Sequence, residues 1–416
     1  MRLILGIKIL TYIFETYLLL RQRAAFRVPT LPEPLQGVVT QEKYEESRAY
    51  GLDAINFVFV QKAVVKLIDI SMLYFGFFPW FWKRSGDFLM YVGLNAENEV
   101  IHSLAYSAGF LFCSQIVDLP LLLYGTFVID GRHGFNNQTG MLFFKDMLKG
   151  IGNIILLGPP SLFAVIFVVQ IGGPYLAIYL WAFWLVTTNV MMTLYPILIV
   201  PRFNKLTPLP DGELRTEIEK LASSHKFPLK KIFVIDGSSP RNAYMCGFFK
   251  SKSIMLYDTF IQKCQNTDEV VSIIAHELGH WKFNHTLYST IATQVFYFLQ
   301  FGGYTLARNS KDLFQSFGFE TQPVLMELII FQHIVKPLGR LVRFGLNLVS
   351  RSFEFQADAF TTKLGYYLAF RAVLIKPLEN DPSPINTDAW YSAYHYSRPQ
   401  LVERLAALGE SNKKED

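Results

Sequence analysis

His276, Glu277 and His280 stand in the spacing H-E-x-x-H within SIIAHELGHWKFNH, residues 272–285. On a helix, positions four apart share a face one turn from each other, so both imidazoles can be presented to one Zn2+. Zinc lowers the pKa of a water it holds toward roughly 7, and the Glu277 carboxylate can then take the proton. The spacing therefore offers hydrolysis with one Zn2+ per chain as cofactor. A catalytic zinc usually takes three protein ligands and leaves a fourth position open. Glu354 in SFEFQAD, residues 352–358, is the candidate third ligand, and Asp358 one turn later can receive an imidazole N–H.

A helix must carry the first motif. Asp268 is suited to cap its start, Val271, Ile274 and Leu278 form an apolar stripe, and no Pro or Gly interrupts before Gly279. Upstream, residues 201–265 read as a soluble block: a Pro-rich TPLPDG, an amphipathic helix over Glu213–His225, then two β-rich runs, KKIFVID and SIMLYD. NAYMCGFF, 242–249, lies between the runs. That order suits an edge strand holding an extended peptide beside zinc, and a plain structural hairpin is the alternative.

The rest of the chain is a polytopic membrane protein by composition. Of 416 residues, 51% are hydrophobic and 15% aromatic, and the mean hydropathy is +0.24, too apolar for an ordinary soluble protein. The net charge of +5 fits Lys and Arg on cytosolic loops and implies no nucleic-acid partner. Seven segments qualify as membrane helices, at 3–20, 55–82, 101–129, 147–170, 175–200, 285–307 and 322–349. The first lacks a small-residue cleavage site after it and is expected to be kept. Arg21, Arg23, Arg27, Lys43 and Arg48 put the loop at 21–54 in the cytosol. Counting crossings, 201–284 and 350–416 are cytosolic too. The expected division is a membrane region at 1–200, a peptidase part at 201–284, two membrane helices at 285–349, and a second peptidase part at 350–416.

Ionisable residues at membrane depth should face a hydrated interior or one another. Lys62, Lys66 and Asp69 run i, i+4, i+7, and Lys336, Arg340, Arg343, Asn347, Arg351, Glu354 and Asp358 hold one helical face for more than five turns. Cys113, Cys246 and Cys264 form no C-x-x-C and are odd in number, which argues against a disulfide framework and thiolate ligation and fits a reducing compartment. His102, His133, His225, His285 and His333 are read as loop or packing histidines.

RHGFN at 132–136, Asn-Ala-Tyr at 242–244, IAHELGHW, RSFEFQAD, and the C-terminal YHYS and VERL together resemble the type I CAAX prenyl endopeptidases, zinc metalloproteases of the endoplasmic reticulum membrane. The resemblance covers nearly the whole chain. It implies a mainly α protein whose seven helices form a barrel around a hydrated chamber, with a gluzincin-like peptidase domain of helices and a small β-sheet on the cytosolic side. It implies removal of the last three residues from prenylated Cys-a-a-X proteins, with zinc on His276, His280 and Glu354 and with Glu277 as general base. Asn242 then looks like a contact to the substrate backbone, and Arg404 like an electrophilic or carboxylate-binding arginine. His395 and Arg398 lie in the substrate-binding motif.

Two departures accompany the resemblance. Arg398 stands where the family has a His thought to stabilise the oxyanion, and a guanidinium can donate there but cannot deliver a proton near neutral pH. The stretch before Asn242, IDGSSPR, is shorter than the family's. Two alternatives follow: a membrane-protein quality-control metalloprotease without prenyl preference, or a weakly active or inactive zinc-binding scaffold. The expected partners are prenylated substrates and membrane lipid, acting on a monomer. The sequons at Asn137 and Asn284 are not expected to carry glycans. The KKED tail resembles a dilysine retrieval signal or is a solvated charged end.

Overall fold

The computed structural model describes residues 1–136, 138–194, 205–236, 243–246, 252–379 and 385–412. Asn242, Asn137 and the KKED tail lie outside the described residues. In chain order the helices and strands are α1 (Arg2–Arg27), α2 (Gln41–Tyr74), α3 (Phe77–Tyr91), α4 (Glu99–Leu123), α5 (Gly140–Ile171), α6 (Leu176–Leu194), β1 (Lys205–Pro208), α7 (Glu213–Ser224), β2 (Leu229–Asp236), β3 (Ala243–Cys246) and β4 (Lys252–Tyr257). They continue as α8 (Asp258–Lys263), α9 (Thr267–Lys282), α10 (His285–Arg308), α11 (Lys311–Ser316), α12 (Val324–Lys363), α13 (Tyr367–Ile375), α14 (Ala389–His395) and α15 (Leu401–Asn412). Two compact units share them, and α12 contributes to both.

The first unit comprises 1–28, 46–184 and 294–342. Among the described residues, Arg2–Arg27, Glu99–Asp130 and Gly140–Ile171 are long and apolar enough to cross a membrane. The other expected segments fall on α2 with α3, α6, α10 and α12. Lys62, Lys66 and Asp69 on α2, and Lys336, Arg340 and Arg343 on α12, lower the hydropathy of those two helices. The expected segment 55–82 is broken at Gly76, whose φ of 67° is left-handed and open to glycine at little cost. Beyond Pro120, which cannot donate to the helical ladder, α4 runs on into π winding over Tyr124–Asp130.

Of the ionisable residues expected to face one another in this unit, Asp69 and Arg340 have ion-pair partners. Lys8 donates to Asp69 at 2.8 Å and its Nζ lies 2.8 Å from His333 Nδ1. Arg340 pairs with Glu15. In the RHGFN stretch, Asp53 accepts from Arg132 at 2.9 Å and lies 3.0 Å from His133 Nε2.

The second unit comprises 29–45, 185–293 and 343–416. Its sheet has the order β1-β2-β4-β3, with β2 and β4 parallel and β1 and β3 antiparallel to their neighbours. KKIFVID and SIMLYD are therefore parallel neighbours, not the arms of a hairpin. Part of NAYMCGFF forms the edge strand β3, with Ala243 opposite Leu256 and Met245 opposite Ile254. One core joins Ile218 and Leu221 of α7, Ile254 and Leu256 of β4, Val271, Ile274 and Leu278 of α9, Phe360 of α12 and Phe370 of α13. Each such side chain contributes about 1.5–3 kcal/mol by leaving water. A smaller core sets Leu35, Val39 and Tyr44 against Ile385 and Leu405, which brings 29–45 into this unit.

The cap of α9 differs from expectation. Asn266, not Asp268, accepts from the backbone N–H of Glu269 at 3.0 Å, and Glu269 accepts in turn from Gln265 N–H at 2.8 Å. The two bonds satisfy the backbone N–H groups of Glu269 and Gln265, and the helix starts at Thr267, two residues before an Asp268 cap would begin it.

Candidate metal centre

His276, Glu277 and His280 come from α9, and Glu354 and Asp358 from α12, all within the second unit. The two helices approach closely at Gly279. A Cβ there would stand 3.1 Å from the Cα of Ala357 and 3.1 Å from Cδ1 of Phe360, so a side chain would have to displace one of them by a few tenths of an ångström. His276 also stacks on Phe370, with centroids 5.4 Å apart.

One donor atom from each of His276, His280 and Glu354 falls within a common span of 4.8 Å. The Nε2 atoms of the two rings are 3.1 Å apart, and those atoms lie 3.5 Å and 3.7 Å from the Glu354 carboxylate oxygens. Ligands about 2.0–2.1 Å from a tetrahedral ion are about 3.3–3.4 Å from each other, so two imidazoles and a carboxylate in this array fit zinc. The three side chains expected from the sequence as ligands are thus brought together.

The groups behind them orient the set. Asp358 Oδ1 lies 2.9 Å from His276 Nδ1, without the alignment of a linear N–H···O bond. Arg404 donates to the same carboxylate twice, from Nε at 2.9 Å and from Nη2 at 2.6 Å. Arg404 is therefore a fork on Asp358, placed behind the rings. Arg351 donates to Ser392 Oγ at 2.8 Å and to Glu403 at 2.6 Å, which ties the C-terminal segment to α12. Asn347, one turn earlier, donates to the Tyr394 carbonyl at 3.0 Å.

Charge is unevenly shared. Burial opposes ionisation of Glu354, yet His276, Arg398 and Arg404 hold it down to about 2. Burial likewise opposes a charged His276, but the Asp358 and Glu354 carboxylates raise it to about 9. His280 is lowered to about 4 by burial and by the neighbouring His276 charge. Asp358 resists burial and stays below the usual carboxylate range because of His276 and Arg404. Burial pushes Glu277 up, against the pull of His276 and Arg398. An ionised Glu354 and a neutral His280 are in the forms a cation requires.

The substrate-side residues are differently placed. Arg398 Nε lies 3.3 Å from Glu354 Oε1, while most of its side chain is exposed. His395 packs against Tyr391 and Tyr394, with centroids 4.4 and 5.0 Å away. His285, a packing histidine by sequence, lies with its Nδ1 3.0 Å from His280 Nδ1. The signal was Asn284, whose left-handed φ of 56° ends α9 and turns the next residue back toward the site.

Two family models cover nearly the whole chain: a CAAX prenyl protease N-terminal model with five membrane helices over residues 22–205, and peptidase family M48 over 208–412. The chain is similar to the CAAX prenyl protease 1 homolog of Arabidopsis thaliana, 62% identical, covering 100% of this chain and 99% of that one. It is 39% identical to the CAAX prenyl protease 1 homolog of Homo sapiens, over 95% of this chain and 92% of the other. Among solved structures, the crystal structure of S. mikatae Ste24p matches with a TM-score of 0.82 at 34% identity, covering 97% of this chain and 98% of that one.

Proposed function

The chain belongs to the CAAX prenyl proteases of peptidase family M48, multi-pass membrane metalloendopeptidases that process CAAX proteins, and from that premise we propose the residues and steps of its reaction. His276, His280 and Glu354 hold one Zn2+, and the observation that carries this is the tetrahedral-edge spacing of their donor atoms. The chemistry supplied by a bound Zn2+ is Lewis acidity toward water and the scissile carbonyl. Glu277 takes the proton of the attacking water and delivers it to the leaving amine, a task suited by a carboxyl whose proton affinity burial raises.

Asp358 holds His276, and Arg404 holds Asp358. Arg398 offers guanidinium donors to the developing oxyanion. The peptide adds as a strand along β3, the edge of the sheet, where Asn242 and His395 contact it. The membrane helices form a seven-membered barrel around a hydrated chamber in the endoplasmic reticulum membrane, with the metal site and C-terminus facing the cytosol. Loop charge supports that orientation. The prenyl group favours apolar surroundings by about 0.8 kcal/mol per buried methylene.

The test compares a farnesylated Cys-a-a-X peptide with its unprenylated twin, with and without chelator. The expected outcome is chelator-sensitive tripeptide release from the farnesylated peptide only, and equal cleavage of both would favour quality control. A second reading, a scaffold with slow turnover, draws on the Arg398–Glu354 contact, which places a permanent cation on a ligand oxygen. Arg398→His is expected to raise kcat. An unchanged rate would mean that other groups hold the oxyanion.

A further inference from the structure

His285 opens α10 and is buried, 3% exposed, with its ring stacked on Phe353 at 4.1 Å and 8°. Its two nitrogens face different partners. Nδ1 lies 3.0 Å from His280 Nδ1, and Nε2 lies 3.4 Å from Gln356 Oε1. Gln356 in turn donates from Nε2 to Ser352 Oγ at 3.1 Å. His280, His285, Ser352 and Gln356 all belong to the second unit.

The partners decide the tautomers. An amide oxygen only accepts, so the contact to Gln356 requires the proton of a neutral His285 to sit on Nε2. Nδ1 then has only a lone pair to offer. The facing His280 Nδ1 must therefore be the donor, and a neutral His280 with its proton on Nδ1 has its lone pair on Nε2. That is the nitrogen 3.1 Å from His276 Nε2 and 3.7 Å from Glu354.

We propose that His285 is a positioning residue for the metal centre: with Gln356 it forms a directed relay that fixes the tautomer and orientation of His280. The proposal rests on His280 being a zinc ligand. It gives the two rings different supports, a carboxylate with an arginine fork for His276 and a neutral imidazole–amide chain for His280. A neutral support adds no charge beside the ion, while the stacked Phe353 ring holds the plane of His285. Losing an outer partner of a ligating histidine typically costs about 10–100-fold in metal affinity.

The experiment measures zinc dissociation constants of the purified full chain in detergent by competition with a chromophoric chelator. His285→Phe keeps the stacked ring and removes the acceptor, and should weaken zinc about 10–100-fold. His285→Asn returns an acceptor oxygen and should recover most of that loss. Gln356→Leu, at an exposed position, should weaken zinc several-fold by releasing the His285 tautomer. Parental affinity in His285→Phe overturns the proposal. If that variant melts early in excess chelator, Gln356→Leu decides: weaker zinc supports the relay, and parental affinity overturns it. Zinc that binds His280→Ala as tightly as the parent would remove the ligand set itself, and the relay with it.

Discussion

Arg404 reaches Asp358 through both Nε and Nη2, a planar fork that a lysine ammonium cannot reproduce. Arg404→Lys should therefore keep the charge, loosen Asp358 and weaken zinc by about 10–100-fold, read by chelator competition. Cys264 carries a different prediction. Burial pushes its thiol up to about 11, with Lys376 opposing and Glu269 adding to the shift. The thiolate is the disfavoured form, so stability linked to this group should fall as pH rises from 9 toward 11. Alkylation of Cys264 should be slow at pH 8, accelerate only near pH 11, and leave zinc content unchanged. At this scale the ligands were legible because metal chemistry restricts both residue type and spacing. Arg351 and His285 were not: their partners Glu403 and Gln356 lie 52 and 71 residues away, and only the fold makes them neighbours.

Helix α9 and helix α12 meet where Gly279 has no Cβ, and the facing atom is backbone that cannot swing aside. Gly279→Ala should push the helices apart, cost about 1–3 kcal/mol of stability and weaken zinc, seen as a lower melting temperature together with a raised dissociation constant. Arg351 holds the C-terminal segment from the same helix. Arg351→Ala leaves Glu403 only the neutral donors Ser392 Oγ and Gln400 N–H and should cost about 1–3 kcal/mol, measured in the metal-free protein. The sequence indicated α7, β2, β4 and α9 well, since each has a clear apolar period. It could not show that β2 and β4 run parallel, nor that a four-residue stretch from Ala243 is the sheet edge, because strand partners are chosen across the fold. Asn266, Asp268 and Glu269 all suit a helix start, and only geometry selects Asn266 as the cap of α9.

At the scale of the molecule, the metal set is built from two stretches separated by α10, α11 and the first three quarters of α12, so the sequence already implies that the peptidase part cannot be cut out intact. Composition identifies a membrane protein, but ionisable residues on α2 and α12 set those helices apart from α1, α4 and α5, which are long and apolar enough to cross a membrane. Within the first unit Asp69 pairs with Lys8 and Arg340 with Glu15, which hydropathy alone does not reveal. The most direct measurement follows tripeptide release from a farnesylated Cys-a-a-X peptide while metal-stripped protein is titrated with zinc, in parallel with Glu277→Gln. Activity should saturate at one zinc per chain, and Glu277→Gln should take up the same single equivalent while losing about 100–10,000-fold in kcat. Parental turnover by Glu277→Gln, or turnover indifferent to zinc, would contradict this mechanism.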